Sequence, residues 1–273
     1  MQIITLTTDW GNNDWFTGQM KGMLYSAIPN LQIVDITHNN RKYNINTAAF
    51  VIRNACFLTS NVEGGKAKSV FPKGTIHIID VDSYEDIKRG FVVVECDEQF
   101  YICTDNGLPS LLFENKDVKI TNMVHIASES NFYTSAATDV FYKAAKVLAN
   151  THSTETIGDR IDEFQIKKFF PRPNIRQNSI ECNVMYIDSY GDVYLNITGK
   201  EFLNATEGKT FKLKLEKDVS ITQISSSYQD PNIKGGALLT ISSTQFLELA
   251  DRGGNFSRLF GFKEGDKIQI ELN

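Results

Sequence analysis

Long apolar runs are missing from this chain: no stretch nears the eighteen or so apolar residues that a membrane helix needs, so no membrane span is expected. A basic excess is missing too. Lys and Arg number 28 against 33 Asp and Glu, a net charge of −5, and no cationic block is available to neutralise a run of phosphates, which argues against nucleic acid as a partner. Cysteine is scarce. Cys56, Cys96, Cys103 and Cys182 lie far apart, with no Cys-x-x-Cys pair and no nearby histidine to complete a zinc motif, and they read as reduced core thiols. His38, His77, His125 and His152 stand in separate contexts and form neither a His-x-x-x-His metal site nor a triad with an evident nucleophile. Gly-x-Gly-x-x-Gly and P-loop patterns are absent, which disfavours dinucleotides and nucleoside triphosphates, and no metal or cofactor is expected. The segment Met1 to Asp9 carries no basic region and no cleavage site, so the expected location is the cytoplasm.

What is present is a globular composition, 41% hydrophobic over 273 residues, enough for two modest domains with real cores. The first part alternates strand and helix: β-branched Gln2 to Thr8, helical spacing from Phe16 to Ile28 closed by Pro29, a strand at Gln32 to Ile36, a helix around Ile45 to Leu58, and an apolar strand at Thr75 to Ile79. Phe91 to Glu95 and Gln99 to Cys103 read as a hairpin, and Val140 to Ala149 as an amphipathic helix. Near-continuous apolar strands between helices point to a sheet buried on both faces. Beyond Phe169-Phe170-Pro171-Arg172-Pro173-Asn174 the pattern changes to short alternating strands with Gly-rich turns and little helical period, at Ser179 to Ile187, Val193 to Ile197, Thr210 to Leu215, Ala237 to Ile241 and Lys267 to Leu272. The expected architecture is therefore an α/β N-terminal domain with a central, mostly parallel sheet over residues 1–172, followed by a smaller C-terminal β-barrel domain over residues 173–273.

Polar residues cluster at the ends of strands, where α/β sheets bind ligands. Thr7-Thr8-Asp9-Trp10-Gly11-Asn12-Asn13-Asp14 holds two carboxylates suited to a hydroxyl pair and an ammonium or sulfonium group; helix capping and turn formation account for the same residues equally well. Asp82 ends an apolar strand and Arg89 follows seven residues later, as a holder of a water molecule or as a surface ion pair. Thr104-Asp105-Asn106-Gly107 and Ile187-Asp188-Ser189-Tyr190-Gly191-Asp192 are turn-like, and the second sets an aromatic face beside carboxylates.

In register over nearly the whole chain, these segments resemble the S-adenosylmethionine (SAM) hydroxide adenosyltransferases, a family that includes SAM-dependent fluorinases and chlorinases. Gly18-Gln19-Met20-Lys21-Gly22, Ile33-Val34-Asp35-Ile36-Thr37-His38, Phe71-Pro72-Lys73-Gly74-Thr75-Ile76-His77, Asp105-Asn106-Gly107-Leu108 and Gly261-Phe262-Lys263-Glu264-Gly265-Asp266 add to the resemblance. It implies a homotrimer that takes SAM as substrate or ligand between one subunit's first domain and its neighbour's second. It implies that Asp9 holds the ribose hydroxyls, Asp14 the methionine ammonium, and that Tyr43 packs near the sugar and reacting carbon, with Asn106 and Thr134 also at the substrate. Asp188 resembles the acid facing the methionine amino group, Tyr190 and Tyr228 the walls around adenine, Ser243 a carboxylate contact, and Asp192 and Gly253 the elements that read the adenine edge.

Departures from the family pattern are informative. Asp82-Ser83-Tyr84-Glu85-Asp86 replaces Asp-Pro-Gly-Val-Gly, while Asp82 and Arg89 keep the spacing of an acid and arginine that orient water, which implies hydroxide rather than halide transfer. Ala136 stands where hydroxide-transferring members have a histidine, Asp192 stands for an asparagine, and Thr244 for an arginine. Two functions follow as expectations: SAM hydrolysis to adenosine and methionine by water attack at ribose C5′, with Asp82 and Arg89 catalytic, or capture of SAM or adenosine without chemistry.

Overall fold

The computed structural model describes residues 1–58, 68–84, 90–114, 116–126, 135–216, 219–232 and 235–273. They form two compact units, one reaching from Met1 to Phe169 and the other from Phe170 to Asn273.

In the first unit, β1 (Gln2–Thr8), α1 (Phe16–Ala27), β2 (Leu31–Thr37) and α2 (Ile45–Cys56) lead to a short antiparallel pair, β3 (Phe57–Leu58) and β4 (Lys68–Ser69). Next come β5 (Ile76–Asp80), the hairpin β6 (Phe91–Cys96) and β7 (Gln99–Thr104), α3 (Leu108–Leu112) and β8 (Lys119–Asn122). A π-helical turn (Ala137–Phe141) runs into α4 (Tyr142–Thr151), and β9 (Arg160–Ile161) completes the unit. The main sheet has the order β2-β1-β5-β7-β6-β8-β9. Pairing is parallel from β2 through β7 and antiparallel from β7 to β9. The sheet is therefore mixed, less parallel than the alternation of elements implies, because the two-residue turn at Asp97-Glu98 makes β6 run back along β7 and β8 follows that reversal.

Period-2 alternation assigns the two faces. Ile4, Leu6, Ile76, Ile78 and Val93 join Met20 and Leu24 of α1 and Ala144, Ala145 and Leu148 of α4 in one buried cluster. His77, pointing the other way, meets Thr5 Oγ1 through Nδ1 at 2.8 Å and Gln99 Oε1 through Nε2 at 3.0 Å, and it stacks on Tyr101 at 4.2 Å. Gln99 Oε1 only accepts, so Nε2 carries the proton. Burial pushes His77 down to about 4, and the ring is a neutral part of the core. All four cysteines are buried and free.

The second unit begins with β10 (Asn174–Ile175), β11 (Ser179–Ile187), β12 (Val193–Thr198) and α5 (Gly199–Ala205), which opens with a capping box between Thr198 and Glu201. It continues through β13 (Phe211–Lys214), β14 (Ser220–Ile221), β15 (Ala237–Ile241), β16 (Phe246–Asp251), α6 (Phe256–Phe260) and β17 (Lys267–Leu272). The path β14-β13-β17-β11-β12-β16-β15 is antiparallel throughout, and an Ile224–Leu239 bridge brings its two ends together, giving a nearly closed, barrel-like sheet. Alternating residues of β11, β12, β16 and β17 fill its interior with Phe202, Phe256 and Phe260.

Candidate functional site

Because β1, β2 and β5 are parallel neighbours, the segments after their carboxyl ends emerge at one edge of the sheet. Asp9 follows β1 directly. Its Oδ2 accepts the backbone N–H of Tyr43 at 2.8 Å and of Asp82 at 3.4 Å. Both donors sit in the left-handed region, Tyr43 at φ 61° and Asp82 at φ 51°, a conformation that a bulky side chain such as Tyr43 seldom adopts. One carboxylate oxygen thus holds two strained residues from different loops, the kind of over-determined backbone that clusters at ligand sites. Asn106 secures the same loop from beneath: its amide donates to the carbonyls of Val81 at 3.0 Å and Asp82 at 3.1 Å, while its Oδ1 accepts the N–H of Leu108 at the start of α3. Of the residues singled out in the sequence, Asp9, Tyr43, Asp82 and Asn106 are therefore brought together. Asp14 is exposed just ahead of α1. Arg89 and Thr134 lie outside the described residues.

Trp10 extends this cluster. Its indole N–H donates to Asp80 Oδ2 at 2.9 Å, and its ring stacks on His38 with centroids 6.2 Å apart. His38 in turn meets Thr8 Oγ1 at 2.8 Å and lies 3.2 Å from Asp35, which pairs with Lys21. Burial, helped by the charge of Asp9, outweighs the hydrogen bonds from Ser83 and Trp10 and pushes the Asp80 carboxyl up to about 6. Trp10, His38 and Asp80 were not recognised in the sequence as site residues. The available signal is Asp80 itself, an acid closing an apolar strand that is buried on both faces. Ala136 is 2% exposed and belongs to the apolar cluster.

In the second unit, the turn between β11 and β12 is organised by Asp188. Its Oδ1 accepts the N–H groups of Tyr190 and Asp192, each at 2.9 Å, and its Oδ2 lies 3.5 Å from the Tyr194 hydroxyl. This is an Asx-type turn, and it leaves the Tyr190 ring 76% exposed. Gly191, at φ 88°, is needed there, since a Cβ would come within 2.2 Å of the Asn255 side chain. Tyr228 donates its hydroxyl to Glu248, which is buried in the middle of β16. Burial and the charges of Asp188, Glu248 and Asp251 push Asp192 up to about 6. Asp188, Asp192 and Tyr228 thus share one acidic neighbourhood, with Tyr190 on the same turn. Ser243 is exposed in the turn between β15 and β16, and Gly253 follows β16 at φ 74° facing open space. A surface cavity lined by Glu95, Asp97, Gln99 and Lys119 sits at the opposite, amino end of the parallel strands and gathers no comparable set of groups.

The fold and these two clusters define a two-domain protein, α/β followed by barrel-like β, with acid loops at the carboxyl edge of a sheet and an acid-and-tyrosine turn on the β unit. The chain belongs to the SAM hydroxide adenosyltransferase family: residues 4–158 match that family's N-terminal domain and residues 182–269 its C-terminal domain. It is similar to a protein of Methanocaldococcus jannaschii named (R)-S-adenosyl-L-methionine hydrolase, with 24% identity over 99% of this chain and 96% of that one. It is 22% identical to a fluorinase of Actinopolyspora mzabensis, over 98% of this chain and 96% of the relative. Among solved structures, an uncharacterized conserved protein from Thermotoga maritima superposes with a TM-score of 0.80 at 25% identity, over 98% of this chain and 99% of the other.

Proposed function

We propose that the protein is a SAM hydrolase that transfers the adenosyl group to water, releasing adenosine and L-methionine. The observation that carries this reading is the grip of Asp9 on the backbones of Tyr43 and Asp82, which supports a preformed acid site at the sheet edge. Asp9 binds the ribose hydroxyls, Tyr43 covers the sugar, and Asp14 and Asp188 face the methionine ammonium. Tyr190, Tyr228, Asp192 and Gly253 take the adenine, and Ser243 the carboxylate. Asn106 acts by holding the Asp82 loop, and Thr134 lines the substrate. A water oriented by Asp82 and Arg89 attacks C5′ as the C5′–S bond breaks. The bonding pair goes to sulfur, the sulfonium becomes the neutral thioether of methionine, and the water's proton passes to solvent. A cationic leaving group needs no general acid, so catalysis rests on alignment of the attacking water. The same reading makes the protein a cytoplasmic homotrimer with a β-barrel second domain.

A second reading is supported by one specific feature. Ala136 is apolar and buried, so no polar side chain at that position helps to hold the attacking water. On this reading the protein captures SAM without turning it over. Incubation of the full-length protein with SAM, followed by chromatography, separates the two: adenosine and methionine in equal amounts above the no-protein rate, lost in Asp82→Asn, support hydrolysis. Tight SAM binding by calorimetry with no product over hours supports capture.

A further inference from the structure

Asp80 breaks the pattern of its own strand. Ile76 and Ile78, on the same face of β5, lie in the apolar cluster, and the next residue of that row is an acid only 7% exposed. Its Oδ2 accepts the Trp10 indole N–H at 2.9 Å, and its carboxylate also takes a hydrogen bond from Ser83. Trp10 is the residue after Asp9, and Ser83 the residue after Asp82. One carboxylate therefore holds the chain neighbours of both acids, which an apolar side chain in that row could not do. Backbone pairing between β1 and β5 ends at Thr8 and Asp80, so the ladder does not join the loops that carry Asp9 and Asp82. Each loop has its own anchor. Asp9 accepts the Tyr43 N–H at 2.8 Å, and the Asn106 amide donates to the carbonyls of Val81 and Asp82. Between the two loops, two hydrogen bonds cross among the described residues: Trp10 to Asp80 at 2.9 Å, and the Asp82 N–H to Asp9 Oδ2 at 3.4 Å. The second is longer than an ordinary N–H···O bond, so the first carries the spacing. His38 backs the Trp10 ring, stacked at 17° with centroids 6.2 Å apart.

We propose that Asp80 is a positioning residue which, through the Trp10 indole, sets the distance between Asp9 and Asp82. This rests on the hydrolase reading above, in which Asp9 holds the ribose and Asp82 the attacking water. Attack at C5′ needs the water in line with the departing sulfur, and a misplacement of about 1 Å costs about a hundredfold in rate. With the sugar fixed from one loop and the water from the other, the spacing of the loops is the alignment. Loss of the Trp10–Asp80 bond leaves Asp9 anchored on the Tyr43 N–H, so the ribose is still held while the water is misplaced. The signature is a fall in kcat with little change in KM. Packing alone gives no reason for an acid here: burial and the charge of Asp9 both oppose its ionised form.

The experiment is steady-state release of adenosine from SAM by the full-length wild type, Trp10→Phe, Asp80→Leu, Asp80→Asn and the double variant Trp10→Phe/Asp80→Leu. Trp10→Phe keeps a ring against His38 and removes only the N–H donor, and it serves as the test should Asp80→Leu fail to fold. Both single losses are expected to lower kcat about tenfold or more with KM for SAM within about threefold. The double variant is expected to be no slower than Asp80→Leu, because the two side chains act through one bond. The asparagine amide oxygen accepts the indole N–H, so Asp80→Asn recovers at least about fivefold of the kcat lost in Asp80→Leu. Unchanged kcat in Trp10→Phe, a loss confined to KM, or an Asp80→Asn as slow as Asp80→Leu overturns the proposal alone. A ligand-free measurement stands beside these: by NMR the Trp10 indole N–H, distinct from that of exposed Trp15, exchanges slowly with solvent in the wild type and Asp80→Asn and fast in Asp80→Leu. Equal exchange in all three overturns the proposal. Should that protection be present while the wild type forms no product from SAM, the hydrolase reading falls, and the role named here falls with it.

Discussion

At the scale of single residues, Asp9 and Asp80 pull stability in opposite directions. Asp9 satisfies the N–H groups of two left-handed residues. Asp9→Ala leaves both donors without a protein acceptor, and the expected cost in urea unfolding is about 1–3 kcal/mol together with loss of SAM affinity. Asp14→Ala, at an exposed position, is expected to change stability by less than about 0.5 kcal/mol while still weakening SAM binding. Asp80 behaves the other way. Its folded pKa of about 6 lies above the ordinary aspartate value of 3.8, so the stability gained by protonation is present below 3.8 and is lost as pH rises through 6. Asparagine keeps an acceptor for the Trp10 indole and removes the buried charge. Asp80→Asn is therefore expected to be more stable than the wild type by about 1–3 kcal/mol at neutral pH, with the gap closing on acidification below the folded pKa. Equal stability across that range would show that the carboxylate is not desolvated.

At the scale of elements, what could be read from the sequence depended on how cleanly burial followed the chain's periodicity. β1 and β5 were legible because both faces are covered along most of their length, β2, half-exposed at the sheet edge, was legible through Ile33, Val34 and Ile36, and α1 ends at Ala27, close to the Pro29 stop. β16 went unrecognised, since Glu248 occupies an interior position and reads as a surface residue until Tyr228 is seen to bond it. α5 was missed although Thr198-Gly199-Lys200-Glu201 carries its capping box in plain letters. β8 and β9 are too short to show a period. For the site, Asp9 and Asp188 were visible as acids in turn-rich loops, whereas the Trp10–Asp80–His38 packing joins three strand ends distant in sequence, and no local pattern announces it. The turn carrying Tyr190 and Asp192 depends on Gly191, which needs both a positive φ and an open Cβ position. Gly191→Ala is expected to cost more than about 2 kcal/mol and to reduce affinity for adenosine, because strain and the clash with Asn255 act together. Gly253→Ala, strained in φ but facing open space, is expected to cost about 1 kcal/mol. Thermal melts of the two variants test the difference, and equal losses would mean that Asn255 yields without cost.

At the scale of the whole molecule, the two units carry different titrating cores, and acidification separates them. All four histidines lie in the first unit. There His77, held at about 4 against an ordinary 6.5, contributes stability that is full above 6.5 and is lost as pH falls toward 4, while Asp80 acquires stability over much of the same interval. The two trends oppose each other. In the second unit no histidine offsets the buried acids: Asp192 is raised to about 6 and Glu248 is raised as well, by burial first in both cases. Asp230, held near 2 chiefly by the backbone N–H groups of Ser226 and Asn232, gives up its contribution only at lower pH, outside this window. As pH falls from about 7 to about 5, the folded second unit therefore takes up protons before its unfolded chain does, and its stability rises. Amide exchange in β11, β12 and β16, normalised for intrinsic rates, is the measurement suited to two separate units, because a single melting temperature does not define either. Protection of those strands is expected to increase over that interval in the wild type and to increase less in Asp192→Asn, where Glu248 alone remains raised. Falling protection would mean that the acids around Asp192 are solvated and paired rather than desolvated.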